Sequence, residues 1–411
     1  PRERDYAYVA SFMTFSIWVG VGIYSTINFI TKKLLEESIK LKSSYFMIAL
    51  FILFMPTRML IANYHEHDRT GNYIAWDMAY NMLQTCEPNA ILFTNGDNDT
   101  FPLWYLQEVE KIRTDVVVAN LSLLNTKWYV KQLKERYKEN PFIKMTENEI
   151  QNLDFLRWES KNISISAPKD KDNQFGKIEW ELKPTYLGVA LRIQDLMVLR
   201  IINDNSWARP IYFGVTVSPT SMLNLDNFLT MEGLAYRLVN NSNEVINQDR
   251  MSENLLEHVG DTSWFHNFDS KINLYDNNIS KDYQTGFIYR NLANENVYVD
   301  PQLGRLVQNY RTGFVRLAIA KYLQENFEQA EVILSKMEEI MPSKVIPISS
   351  KQLQYQIALL YNKLGNKYKM KYHLNELVQR KDLELEDYIK YGTSYMQFLN
   401  DYHESKLIFE S

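Results

Sequence analysis

Residues 88–121 read PNAILFTNGDNDTFPLWYLQEVEKIRTDVVVANL, and their rhythm decides the fold of the middle of the chain. Residues 90–94 are a short continuous apolar run, the mark of a strand buried on both faces. NGDNDT then supplies turn chemistry. Residues 101–111 read as a helix with Leu103, Leu106 and Val109 inward, and with Pro102 in its first turn, where a missing N–H costs nothing. Residues 115–121 are a second buried strand. Strand, helix and strand at this spacing predict a βαβ unit, a right-handed crossover and parallel pairing.

The pattern extends both ways. Residues 71–82 carry Ile74, Ala75, Met78, Ala79 and Met82 on one helical stripe, and Thr85, Glu87, Pro88 and Asn89 end it. Residues 127–137 and 191–203 predict two more helices, and the run PIYFGVTV at 210–217 a third parallel strand. Between 139 and 190 the chain is polar. There 163–166 and 178–182 alternate and predict an edge hairpin within an insertion. Residues 63–240 thus predict a Rossmann-like three-layer α/β domain.

The N-terminal sixty residues differ in kind. Residues 6–30 hold no charge over a length that exceeds the roughly 30 Å hydrocarbon core of a bilayer. Residues 43–62 form a second apolar run with one charge, Arg58, placed to snorkel. Together they predict a transmembrane hairpin over 1–62. Its connector carries Lys32, Lys33, Lys40 and Lys42, which keeps that loop cytoplasmic and places 63–411 outside, in a periplasm or lumen. A chain that opens on Pro1 also predicts a longer parent protein.

From Leu303 on the sequence is helical. Leu317, Ala318, Tyr322, Ala330, Leu334 and Pro342, and then Ile357, Ala358, Tyr361, Gly365 and Leu374, follow the small-and-large pattern of a tetratricopeptide repeat at an offset of about forty residues. Residues 301–411 therefore predict a tetratricopeptide-like helical array, with 381–400 as a closing helix. Residues 241–300 predict an irregular connector whose Trp264, Phe265, Phe268 and Tyr289 seek burial. The fold class is α/β plus all-α.

Composition narrows the chemistry. With 45% hydrophobic and 23% charged residues the chain is globular, and a formal charge of −5 leaves no basic footprint for nucleic acid. The single cysteine, Cys86, excludes an intrachain disulfide, a zinc finger and CxxC redox chemistry. No GxGxxG, GxxxxGK[ST] or GxSxG motif occurs, which removes dinucleotide, P-loop and serine-elbow readings. Chemistry in parallel sheets sits outside the carboxyl ends of strands, where NGDNDT falls. Asn95, Asp97 and Asp99 are candidates for a polar site that orients hydroxyls or holds a cation. The alternative is structural: Gly96 for a turn, and Asp99 or Thr100 as a helix cap. His65 and His67 with Glu66 and Asp68 lack further placed ligands, so no metal is assigned. His67, Asp68 and Arg69 read instead as a hydrogen-bonded junction that joins the membrane helix to the sheet, and they are further candidates for the polar site with Asn95, Asp97 and Asp99.

NYHEHDRTGNYIAWDMAYNML, the stretch 88–133 and RPIYFGVTV, with RERDYAYVASF at the start, resemble the C-terminal part of a bacterial membrane family common in Bacteroidota. It is grouped with protein O-mannosyltransferase-like glycosyltransferases of the GT-C class. The family is more acidic where this chain has His65 and Glu66, which argues against a metal there. The resemblance implies a polyprenyl-phosphate-linked sugar donor for the full-length protein, with no cofactor in this chain. It also implies an upstream transmembrane bundle that carries the catalytic carboxylate, so no catalytic residue transfers to these positions. Membrane lipid and a protein or glycan acceptor are the implied partners, and the bacterial inner membrane the implied location. Three functions follow: an acceptor-positioning region of such an enzyme, an independent α/β enzyme at Asp97 and Asp99, or a membrane-anchored scaffold that uses the repeats.

Overall fold

The computed structural model describes residues 8–34, 37–169, 176–240, 245–257 and 280–410. The chain divides into two compact units, Pro1–Thr70 with Asn296–Gln302, and Gly71–Glu295 with Leu303–Ser411. Trp264, Phe265 and Phe268 lie outside the described residues.

The first unit is built on two helices, α1 (Val9–Leu34) and α2 (Glu37–His67). Among the described residues one stretch, Val9–Ile30 in α1, is long and apolar enough to cross a membrane. It is no core helix, since Phe12, Met13, Phe15 and Trp18 are all exposed. Its hydroxyls are satisfied within the helix: Thr14, Ser16 and Thr26 donate to the carbonyls of Ala10, Phe12 and Gly22, each at 2.8 Å. Such back-bonding suits a medium without water. The second apolar run is a helix too, continuous through Pro56, with Tyr45, Leu53, Phe54 and Ile61 exposed.

The second unit opens with α3 (Ile74–Thr85), β1 (Ile91–Thr94), α4 (Asp97–Glu108) and β2 (Val117–Asn120). Then come α5 (Leu121–Leu124), α6 (Lys127–Arg136), α7 (Glu147–Gln151), β3 (Leu156–Arg157), β4 (Lys161–Ser166), β5 (Lys177–Leu182) and β6 (Ala190–Leu191). After α8 (Ile193–Asn205) follow β7 (Ile211–Gly214), β8 (Leu229–Met231), β9 (Ala235–Leu238) and α9 (Gln248–Leu256).

The expected strands form and pair as expected. β2 and β7 flank β1, both parallel, in register Ile91 with Val117 and with Ile211. The sheet continues through antiparallel β9 and β8 to five strands in the order β2-β1-β7-β9-β8. It is therefore mixed rather than parallel throughout. Ile91, Phe93, Val117, Ala119, Ile211 and Phe213 face one cluster with Val130 of α6 and Met197 and Ile201 of α8. The alternate residues face α3 and α4, which pack together, and Met82 of α3 lies beside Gly214. Helices thus cover both faces: α4 lies on the crossover from β1 to β2, and α6 and α8 lie on the return from β2 past β1 to β7.

Three details of the sequence reading need correction; the first is Val109, read as facing inward, which is the C-cap of α4 and is exposed. The alternating segments do pair, β4 with β5, but as a separate two-stranded ribbon rather than an edge of the main sheet. Its apolar face, with Ile165, Ile178 and Leu182, joins the main core, and the Trp180 indole N–H donates to the Leu223 carbonyl at 2.9 Å. The helix after β1 starts at Asp97, four residues earlier than periodicity indicates. Pro102 thus sits in its second turn, where the regular bond to the Asn98 carbonyl cannot form.

The C-terminal helices are α10 (Pro301–Leu323), α11 (Phe327–Ile340), α12 (Lys351–Lys363), α13 (Lys367–Val378), α14 (Leu385–Leu399) and α15 (Tyr402–Glu410). They fall into three hairpins, each turned by the same device. A left-handed residue (Glu325, Gly365 or Asn400) precedes an Asx residue (Asn326, Asn366 or Asp401) whose side chain caps the next helix. The expected closing helix is therefore half of a third hairpin. Arg311 ties α10 to the connector after α11, donating to the carbonyls of Met341 at 2.8 Å and Pro347 at 3.3 Å. Burial pushes its pKa down to about 10.

Candidate functional site

In this sheet the connection from β1 leads toward β2 and the one from β7 leads away, so a crevice opens between the carboxyl ends of β1 and β7. The NGDNDT turn fills its rim. Asp99 is the third residue of α4 and not its cap; Gly96 holds that position. One Asp99 carboxylate oxygen accepts from Gly96 N at 2.9 Å. The other accepts from Asn95 N at 2.9 Å and from the Thr216 hydroxyl at 2.5 Å. Asp99 thus staples the turn after β1 to the segment after β7. Behind it Thr94, Thr100 and Asn120 are buried and linked, Thr94 Oγ1 to Thr100 Oγ1 at 2.7 Å and Asn120 Nδ2 to Thr100 Oγ1 at 2.8 Å. Asp97 differs: it is the first residue of α4 and exposed. A carboxylate there is favoured by the helix N-terminus. Asn95 is exposed too, and its carbonyl accepts from Ser122 Oγ at 2.8 Å, which joins the turn after β1 to α5.

His67, Asp68 and Arg69 belong to the first unit. His67 Nδ1 lies 2.9 Å from the Asn63 carbonyl, and Arg69 donates to the Glu66 carbonyl at 2.8 Å. The Asp68 carboxylate accepts from Thr70 N at 2.8 Å, and hydrogen bonds from Thr70 hold its pKa below the usual value. Tyr298 takes the His65 ring edge-on at 5.6 Å and the Arg69 guanidinium over its face at 5.5 Å. These residues end α2 and serve its own unit; the rim residues Asn95, Asp97 and Asp99 are held together separately in the other. Among the described residues no three His, Cys, Asp or Glu side chains converge as a metal-ligand set.

Sequence reasoning missed two groups of rim residues. Thr216 lay at the end of a predicted strand with nothing to mark its role. The second group is aromatic. Phe101 stacks on Trp104 at 5.7 Å, Trp104 tilts against Tyr129 at 6.4 Å, and Trp128 meets Tyr129 edge-on at 5.7 Å. Tyr129 is the buried anchor: its hydroxyl accepts from Asn120 N at 3.1 Å at the end of β2. Burial pushes that hydroxyl up to about 12, so it stays neutral. Phe101 and Trp128 are exposed. The only sequence signal was an aromatic at the start of each of two helices, FPLW and KWY, beside the turn.

Comparison with known proteins bears on this part of the chain. Residues 75–162 and 157–255 match the family model described as TMEM260-associated domain 2. The whole rim and the aromatic strip lie inside that match. The protein O-mannosyl-transferase tmem260 of Dictyostelium discoideum is 25% identical over 122 residues, which is 28% of this chain and 15% of that protein. No solved structure matches the chain. The two likenesses support a protein O-mannosyltransferase-like family.

Proposed function

We propose that this chain is the acceptor-facing region of a protein O-mannosyltransferase-like membrane glycosyltransferase. The observation that carries the proposal is the match of residues 75–255 to a domain associated with TMEM260, joined to the likeness with an O-mannosyl-transferase. The site chemistry agrees with a role in positioning. Asp99 is engaged as a structural staple, so the rim holds no pair of free carboxylates for acid–base work. In this reading the donor is a polyprenyl-phosphate-linked sugar, and transfer takes place in a membrane bundle of the GT-C class. The helix α2 joins α1 as a second span, supported by its exposed apolar side chains. Lys32, Lys33, Lys40 and Lys42 keep the connector cytoplasmic, and residues 63–411 stand on the periplasmic side of a bacterial inner membrane. The three hairpins act as tetratricopeptide-like repeats that offer a protein surface, supported by their repeated turns.

The test is mannose transfer by a longer protein that carries this chain. Removal of residues 71–411 should abolish transfer to protein acceptors, while the purified 411-residue chain should transfer nothing alone. Undiminished transfer after the deletion would refute the assignment.

A further inference from the structure

We propose that the hairpin tip 186–189, with Phe155 and Leu156 beside it, is a second contact of this chain with a lipid surface. The inference rests on the reading that α1 crosses a membrane, and it adds a contact made by the other unit. The tip is closed by Val189 N, which donates to the Tyr186 carbonyl at 3.1 Å, and its central residues Leu187 and Gly188 have φ 50° and 72°. Turns with two positive φ angles ordinarily carry Asn, Asp or Gly, because a branched side chain there is strained. Here a leucine takes the first position and is 80% exposed, more than Leu50, Leu53 or Leu60 of α2. The fold gains no packing from it. Tyr186, Val189, Phe155 and Leu156 are exposed as well, and the Tyr186 and Phe155 rings meet at 5.2 Å. The tip is held rigidly: β3 pairs with β6, and Trp158 N donates to the Val189 carbonyl at 2.9 Å. Contact with an apolar medium would therefore cost little ordering of the protein.

The surroundings select lipid. A stable protein interface takes about 800 Å² from each partner, whereas the apolar surface here is five side chains on a ribbon whose two strands are two residues each. A bilayer sets no such requirement and accepts a few apolar side chains from one projecting turn. Below the tip stand groups suited to the headgroup level. The Trp158 indole N–H donates to the Leu182 carbonyl at 3.0 Å, and the Lys161 ammonium lies 4.0 Å over its ring. Arg157 and Lys161 are offset by Asp154 and Glu159 along the same segment, so apolar contact rather than an anionic headgroup carries the attraction. The chain also brings the bilayer with it. The apolar stretch Val9–Ile30 is long enough to cross one, and the second unit follows the first in the same chain at Gly71. Tethering raises the effective concentration of a surface, so a contact too weak to hold a free protein suffices.

The test uses the full 411-residue chain in phosphatidylcholine vesicles, with a bimane fluorophore on one introduced cysteine at a time. Cys86 is fully buried and its thiol is pushed up to about 12, so the label goes to the introduced position. The positions are Val189→Cys at the tip, Phe12→Cys on α1 and Gln352→Cys on α12, all exposed. Phosphatidylcholine that bears a nitroxide near its headgroup is the quencher. The Val189 label should be quenched well beyond the Gln352 label. Leu187→Asn in the same background should lower the ratio of lipid-bound to free tip about tenfold. Its melting temperature should stay or rise, since Asn accepts positive φ. A Val189 label quenched no more than the Gln352 label, or quenching that survives Leu187→Asn, would overturn the proposal. A tip label that ignores the nitroxide but responds to protein density in the vesicle would overturn it in favour of contact between copies. The wider reading fails separately. A quenched Phe12 label beside an unquenched Val189 label leaves α1 in the membrane and removes only the tip contact, while two unquenched labels remove both.

Discussion

Asp97 and Asp99 stand two residues apart and differ in what they hold. Asp99 receives donors on both carboxylate oxygens, from two backbone amides and from Thr216 across the crevice. Asp99→Ala should cost about 1–3 kcal/mol in urea unfolding, because the half-buried donors of Gly96 and Thr216 lose their acceptor. Asp99→Asn should fall between, since one of its two acceptor positions becomes a donor. Asp97→Ala should stay within about 0.5 kcal/mol of the parent, as exposed positions do. Cys86 gives a second check at this scale. It is fully buried, and burial pushes its thiol up to about 12 against the pull of Arg113. The thiol is therefore protonated at neutral pH and shielded. Ellman's reagent should fail to label the native protein, and labelling should appear only with unfolding.

The hairpin turns of the helical array carry the argument at the scale of elements. Glu325 has φ 61° where the equivalent Gly365 has φ 83°. A side chain at positive φ is strained by roughly 1–2 kcal/mol. Glu325→Gly should thus raise the melting temperature, and Gly365→Ala should lower it although nothing lies within 4 Å of the added methyl. Between hairpins, Glu338 accepts from His373 Nε2 at 2.8 Å and from the Lys369 ammonium. Burial raises its pKa, but those two bonds outweigh it and hold it below the ordinary 4.5. A depressed carboxylate stabilises above its unfolded pKa, and the benefit is lost as pH falls through the folded value. Melting temperature should therefore drop as pH falls below 4.5, and less so in Glu338→Gln. The three parallel strands were legible because each is a continuous apolar run between helical periods. β8 and β9 were not: they are short, Thr230 and Arg237 interrupt them, and Glu232 stands in the turn between them. Those residues are used elsewhere, Glu232 as acceptor for the Tyr212 hydroxyl at 2.8 Å. NGDNDT could be placed at a strand end from its neighbours alone. The exposure of Phe101 and Trp128 could not, since periodicity reports which residues face inward and says nothing of rings left outside.

At the scale of the whole molecule, α3 is the seam of the second unit. Its apolar stripe was readable, but Asp77, Asn81 and Gln84 form a second stripe whose partners lie some two hundred residues away. Asn81 exchanges bonds with the Ile288 backbone at 2.7 and 2.9 Å. Gln84 accepts from Gln284 N at 3.0 Å. Asp77 takes the Arg290 side chain and backbone N–H, with the guanidinium between the rings of Tyr73 at 4.2 Å and Trp76 at 4.5 Å. Arg290→Ala should cost about 3–5 kcal/mol at pH 7 by leaving a buried carboxylate unpaired. Burial pushes the Asp77 carboxyl up, against the pull of Arg290. A raised carboxyl loses stability as pH rises through its folded value, so the deficit of the variant should shrink as pH falls toward 3.8. The central claim concerns a larger whole: that this chain presents the acceptor to a sugar transferase. The most direct measurement sets two rates side by side in a longer protein with and without residues 71–411: mannose transfer to protein, and hydrolysis of the polyprenyl-phosphate-linked donor by water. Loss of transfer with hydrolysis intact is the predicted result. Equal loss of both, or loss of neither, would contradict it.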